Sequence, residues 1–118
     1  MDVESLREYC LLKPGTTEEF PFDETTLVFK VMGKMFGLVS LQRMPLSLNL
    51  KCDPDRAEEL RERYEAINPG YHMNKKHWNT INLEEDVNGK VLANLIDHSY
   101  ELVVSKLTKK VKAELSQL

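Results

Sequence analysis

The sequence predicts an α+β fold in which one antiparallel sheet of about four to five strands carries helices packed on one face. Three observations predict it. Apolar residues alternate with a period near two through residues 25–51 and again over 78–83, as half-buried strands require. They recur with a helical period through 2–12, 54–66 and 89–105, the pattern of amphipathic helices. The first three strands run consecutively with helices outside them, which belongs to α+β domains rather than to alternating βαβ units. A chain of 118 residues, 42% hydrophobic and 30% charged, supports one core and so a single domain over 1–118.

Residues 2–12 form the first expected helix, with Val3, Leu6 and Cys10 on one face and Pro14-Gly15 as its stop. Thr16–Glu24 reads as a connecting loop with an apolar pinch at Phe20, Pro21 and Phe22. Over 25–32, Leu27, Phe29 and Val31 point one way, and Thr26, Val28, Lys30 and Met32 the other. Gly33-Lys34 then predicts a two-residue type II′ turn. That turn pairs Met32 with Met35, Val31 with Phe36 and Phe29 with Leu38. Leu46–Lys51 is the third strand, with Leu46, Leu48 and Leu50 inward. A three-residue connection at 42–44 sets Leu38 opposite Leu48 and Phe36 opposite Leu50, and leaves Pro45 at a strand start.

Asp53-Pro54 opens a helix, with Asp as N-cap and Pro at the first helical position. Ala57, Leu60 and Tyr64 give it an apolar face, and Asn68-Pro69-Gly70 ends it. Residues 71–77 are polar and irregular. Trp78–Leu83 is a fourth strand, with Ile81 and Leu83 apolar and Thr80 and Asn82 outward. After Asn88-Gly89, a stripe from Val91 to Val103 marks a long helix, and Thr108 caps a final lysine-rich one. The outward sheet face carries Thr26, Lys30, Ser47, Asn49, Lys51, Thr80 and Asn82, alongside Val28 and Val39, a mildly basic hydrogen-bonding surface that suits a polyanion and equally suits water.

The net charge of -3 and a pI near 5.6 argue against a strongly basic nucleic-acid binder. The distribution of charge says more than the total. Residues 25–51 hold Lys30, Lys34, Arg43 and Lys51 and no acid, and residues 69–83 hold Lys75 and Lys76 and no acid. Strands deplete lysine as well as acids, so propensity does not explain the one-sided sign. A local field of this kind steers a charged partner.

Enzyme signatures are missing. There is no GxSxG elbow and no glycine-rich phosphate loop. Cys10 and Cys52 form no CxxC pair, and His72 and His77 are five apart, which does not align two ligands on a helix. Asp53 and Asp55 oppose activation of the Cys52 thiol. The expectation is a non-enzymatic protein with no cofactor and no metal. No apolar run approaches a membrane span, and the acidic, amphipathic start is no signal peptide. A cytoplasmic monomer is the default, with no membrane partner.

The stretch PGYHMNKKHWNTINL, residues 69–83, is the most informative. It combines lysines, histidines, asparagines, Tyr71 and Trp78 without an acid. Lysines bind phosphate, amides hydrogen-bond bases or phosphates, and rings can stack. Trp78 competes for a place in the core, since tryptophan is well buried on average. Lys34 sits at the hairpin tip, and Met32 and Met35 flank it.

With these residues in view, the chain resembles the MmcQ/YjbR family of small bacterial proteins. The resemblance is carried by LKPGTTEEFPF (12–22), LVFKVMGKMFGLV (27–39), LNLKCDP (48–54), INPGYHMNKKHWNTINL (67–83) and IDHSYELVVSKL (96–107). It implies a CyaY-like (frataxin-like) topology and a DNA-binding type of protein with wing-like hairpins. Lys30, Gly33, Lys34 and Phe36 match its hairpin motif, and His72, Asn74, Lys75, Lys76, His77 and Trp78 its loop motif. The candidate nucleic-acid contacts are therefore Lys30, Lys34, Lys51, His72, Asn74, Lys75, Lys76, His77 and Trp78. The alternatives are a protein-interaction or regulatory domain and a small-ligand or metal binder using His72, His77 and Tyr71. By fold analogy alone, Asp2, Glu4 and Glu8 resemble the acidic ridge of frataxins.

Overall fold

Six strands form the sheet in the computed structural model, which describes residues 1–71, 73–85 and 87–118. The chain runs α1 (Val3–Leu11), β1 (Thr16–Glu19), β2 (Thr26–Val31), β3 (Lys34–Ser40), β4 (Ser47–Lys51), α2 (Pro54–Arg63), β5 (Ile67–Pro69), β6 (Trp78–Asn82), α3 (Gly89–Ser105) and α4 (Lys109–Ser116). The strand order is β1-β2-β3-β4-β6-β5, antiparallel throughout. The expected α+β class and one-sided helices hold. The two extra strands are short edges, where the sequence predicted a loop and a helix end. In β1, TTEE carries no apolar alternation to announce it, and β5 is three residues closing on Pro69.

All four helices pack against one face of the sheet. Leu6 and Cys10 of α1 and Leu92, Leu95, Ile96 and Val103 of α3 meet Leu27, Phe29, Val31, Phe36 and Val39 in one buried cluster. Leu60 of α2 and Leu115 of α4 pack on its margin. Each helix starts at a cap. Asp2 accepts from the Ser5 amide at 2.8 Å, Asp53 from Asp55 at 3.1 Å, Asn88 from Lys90 at 2.8 Å and Thr108 from Val111 at 3.2 Å. The side chain of Asp97 ties α1 to α3, accepting from Tyr9 Oη at 2.6 Å and Lys13 Nζ at 2.5 Å. Arg7 of α1 grips Glu18 of β1 through Nε at 2.7 Å and a second nitrogen at 2.5 Å, a forked geometry that fixes orientation as well as distance.

The first hairpin corrects the expected turn by one residue. Met32 (φ 49°) and Gly33 (φ 82°) occupy the turn, both in the left-handed region, so Val31 pairs with Lys34. Two successive positive φ values are the mark of a type I′ turn, whose twist suits a hairpin. A bulge follows: Lys30 pairs with Met35 but Phe29 pairs with Gly37. The inserted residue, Phe36, is thereby turned into the core beside Gly37, and the alternation reverses on either side. Val39 is inward and fully buried, whereas Leu38 faces away with Val28, contrary to the expected faces.

The β3–β4 register also shifts by one from expectation. Val39 pairs with Leu48, Leu38 with Asn49 and Gly37 with Leu50, and the connection spans 41–46. Leu48 and Leu50 point inward as expected. Beyond Gly37 the ladder stops, and Ser99 of α3 enters it. Its hydroxyl donates to the Phe36 carbonyl at 2.6 Å and accepts from the Lys51 amide at 2.9 Å.

Candidate nucleic-acid interface

Antiparallel register decides which candidate residues meet. Lys34 opens β3, Lys51 closes β4, and Trp78 opens β6 opposite Lys51. The Cys52 amide donates to the His77 carbonyl at 2.8 Å, so the 74–77 turn lies at this same end of the sheet. Lys34 and Lys51 line a shared cleft of about 340 Å³ with Met35, Val103, Lys106 and Leu107. Lys106 was not among the expected contacts. Its signal was the lysine-rich segment after α3, whose place in the fold is set by α3 packing across the sheet.

The 74–77 turn is held from two sides. Asn74 Oδ1 accepts from the Lys76 amide at 3.0 Å, and its carbonyl accepts from the Trp78 amide at 3.0 Å. Arg61 of α2 donates through Nε to Asn79 Oδ1 at 2.7 Å and also to the Lys75 and Trp78 carbonyls. Arg61 positions the turn, and its place on a charged helix face gave no sequence signal of this. Gly70 closes the approach to β6, its amide 2.8 Å from the Trp78 carbonyl. A Cβ there would lie 2.8 Å from Trp78 Cβ and 2.9 Å from that carbonyl oxygen, so only glycine fits.

The remaining candidates separate. Trp78 is buried, 9% exposed, so its ring is no surface stacking platform. The Asn74 side chain is engaged in its own turn, and Lys75 Nζ donates to the Gly70 carbonyl at 3.2 Å. Lys76 is exposed and His77 half-buried. Lys30 projects from the face opposite the helices and pairs with Glu19 at 3.7 Å. His72 lies outside the described residues.

The centre of the outward sheet face is covered, while Thr26, Lys30, Lys51 and Asn82 around it are half-buried. Ser47, Asn49 and Thr80 are 6%, 5% and 7% exposed. Thr80 Oγ1 donates to Asn49 Oδ1 at 2.5 Å and accepts from the Tyr71 amide at 2.9 Å, so the loop after β5 lies over the strands. With Phe22 and Arg43 it encloses a cavity of about 430 Å³ on this face. Tyr71 lines that cavity and His77 is not among its described lining residues; the expected grouping of His72, His77 and Tyr71 includes His72, which lies outside the described residues. Met32 packs on the core margin, whereas Met35 borders both this cavity and the lysine cleft.

Both thiols are buried, which disfavours the thiolate. Burial pushes Cys10 up to about 12, and burial likewise raises Cys52 despite the nearby Arg56. Among the described residues no group of three His, Cys, Asp or Glu is placed to hold a metal, and no helix is long and apolar enough to cross a membrane. Of the acidic residues on α1, Asp2 caps the helix and Glu4 pairs with Arg7 at 3.1 Å.

His98 adds a pH response. Its Nε2 accepts from the Asp53 amide at 3.2 Å. Burial, then Arg56, lower its pKa from the ordinary 6.5, against the opposing pull of Asp53 and Glu101. The fold therefore favours the neutral ring, and this contribution is complete above the unfolded value. It is lost as pH falls below 6.5, where the unfolded chain takes up the proton first. Thermal midpoints measured from about pH 7 to about pH 5 should fall more steeply for the native chain than for His98→Gln.

The YjbR family model matches residues 11–102. The uncharacterized protein YbdF of Escherichia coli O157:H7 is 40% identical over 114 residues, covering 93% of each chain. The uncharacterized protein YjbR of Escherichia coli K12 is 30% identical over 118 residues, covering all of both chains. The crystal structure of Deinococcus radiodurans protein DR2400, a DUF419 domain, is 46% identical, with a TM-score of 0.89 over 97% of this chain and 87% of that one. A crystal structure from Pseudomonas syringae is 26% identical, with a TM-score of 0.76 over 86% of this chain and 98% of that one.

Proposed function

The chain belongs to the YjbR family, and on that footing we propose that it is a non-enzymatic module that binds DNA through the lysine-bearing end of its sheet. The observation that carries this reading is the cleft shared by Lys34, Lys51 and Lys106, at the end of the sheet that also bears Lys76. Three ammonium groups from separate elements offer point charges to a phosphate backbone. Phosphate contacts position a duplex without reading its bases. Burial of Trp78 removes the stacking contribution. The reading is therefore of weak, sequence-independent binding, limited further by the net charge of -3.

Salt dependence tests it. Three phosphate contacts give a slope near -2.7, so affinity for a duplex should fall about 40-fold between about 50 and 200 mM salt. In fluorescence anisotropy, the combined Lys34→Gln, Lys51→Gln and Lys106→Gln variant should bind at least about tenfold more weakly at low salt. Lys30→Gln, which removes an ammonium already paired with Glu19, should bind within about twofold of the native chain. Absence of binding at low salt, or affinity that neither salt nor the triple variant changes, overturns the reading.

A further inference from the structure

The face of the sheet opposite the helices holds an apolar cavity apart from the cleft lysines. We propose that its cavity binds a small aromatic carboxylic acid, with Arg43 as the carboxylate partner. The volume of about 430 Å³ lies at the small end of the range for small-molecule sites, about 300–1,000 Å³. Phe22, Met35, Leu38 and Met73 supply apolar walls. Methionine adapts to irregular shapes and makes favourable sulfur contacts with rings.

Charge selects the ligand's polar end. Among the described residues, Arg43 is the one charged side chain lining the cavity, and no carboxylate lines it. Among the described residues Arg43 forms no ion pair. Its guanidinium carbon lies 3.8 Å from the centroid of the Tyr71 ring. Stacking of this kind orients the plane and leaves the N–H edge to grip a carboxylate with two parallel bonds. The floor adds no competing charge, since the Asn49 carbonyl is already engaged by Thr80.

The mouth selects the body. The rings of Phe22 and Tyr71 stand 67% and 51% exposed beside the cavity. A flat aromatic ligand would cover both and pair with them edge-to-face or offset. Met35 borders both this cavity and the basic cleft, but none of the cleft's lysines lines this cavity, so the carboxylate partner proposed here is separate from the nucleic-acid reading.

Amide-proton NMR of the full chain, titrated with phenylacetate and with neutral phenylacetamide, tests it. Phenylacetate should shift the amides of Leu38, Ser47 and Asn49, with micromolar to millimolar affinity. It should bind about tenfold more tightly than phenylacetamide, and Arg43→Gln should abolish that preference while leaving amide binding unchanged. Met35→Trp, which fills the cavity from a half-buried position, should weaken both ligands about tenfold. Signal dispersion in the same spectra reports that each variant is folded. Equal affinity for the acid and the amide, a preference that survives Arg43→Gln, shifts confined to the lysine cleft, or no shifts at millimolar ligand would each overturn it.

Discussion

Replacing Phe36 with alanine is expected to destabilise the protein by about 3–5 kcal/mol, the range for truncating a buried phenylalanine. The ring is fully buried. It meets Tyr100 edge-on at 5.5 Å and Phe29 at 6.4 Å, so three elements lose contacts together. The bulge makes the loss harder to repair. Gly37, its neighbour on the core face, has no side chain to close the gap. Urea denaturation should show the midpoint falling with little change in slope. Phe36→Leu should recover much of the loss, since it restores most of the volume. Set against a typical total of about 5–15 kcal/mol, the alanine variant would retain little stability.

Ser99→Ala is the second large effect. Ser99 is fully buried and serves two backbone groups, the Phe36 carbonyl and the Lys51 amide. Alanine is a better helix former by a few tenths of a kcal/mol. The loss of both partners outweighs that gain, because each buried backbone group left unpaired costs about 1–3 kcal/mol. The expected loss is therefore several kcal/mol for the removal of one oxygen. Amide exchange at Lys51 should accelerate, while exchange at the centre of β4 changes only with global stability. Ser99→Thr keeps the hydroxyl and should retain the slow Lys51 exchange. An alanine variant with native stability would mean that β3 and β4 close the gap themselves.

How much was legible depended on whether the signal was local. Asp53-Pro54 and Thr108 announced two helix starts, and each cap bond is present; Asn88, read as a break in the chain, turns out to cap the third. Leu27, Phe29 and Val31 announced the core face of β2. The turn slipped because Met32 adopts a positive φ, which a non-glycine residue rarely does. The bulge had one trace in the sequence. Phe36 and Val39 are three apart, so strict alternation cannot send both to the core. Burial of Ser47 and Asn49 had none, since it depends on a loop more than twenty residues away in sequence. Acid-free segments marked the candidate lysines, but antiparallel register decided that Lys34 and Lys51 converge and that Lys30 pairs with Glu19.

The two short edge strands bear on how the protein behaves at high concentration. The four inner strands include apolar runs such as LVF and MFGLV, the kind of segment that recruits other chains when its backbone is open. Both borders of the sheet blunt that tendency. On one side β1 offers four residues bearing Glu18 and Glu19, and on the other β5 offers three and ends at a proline with no N–H to donate. Edge-to-edge growth thus meets charge on one flank and a missing donor on the other. The TTEE and INP segments, which hid these strands from the sequence pattern, are the same ones that leave the sheet with short, poorly pairing borders.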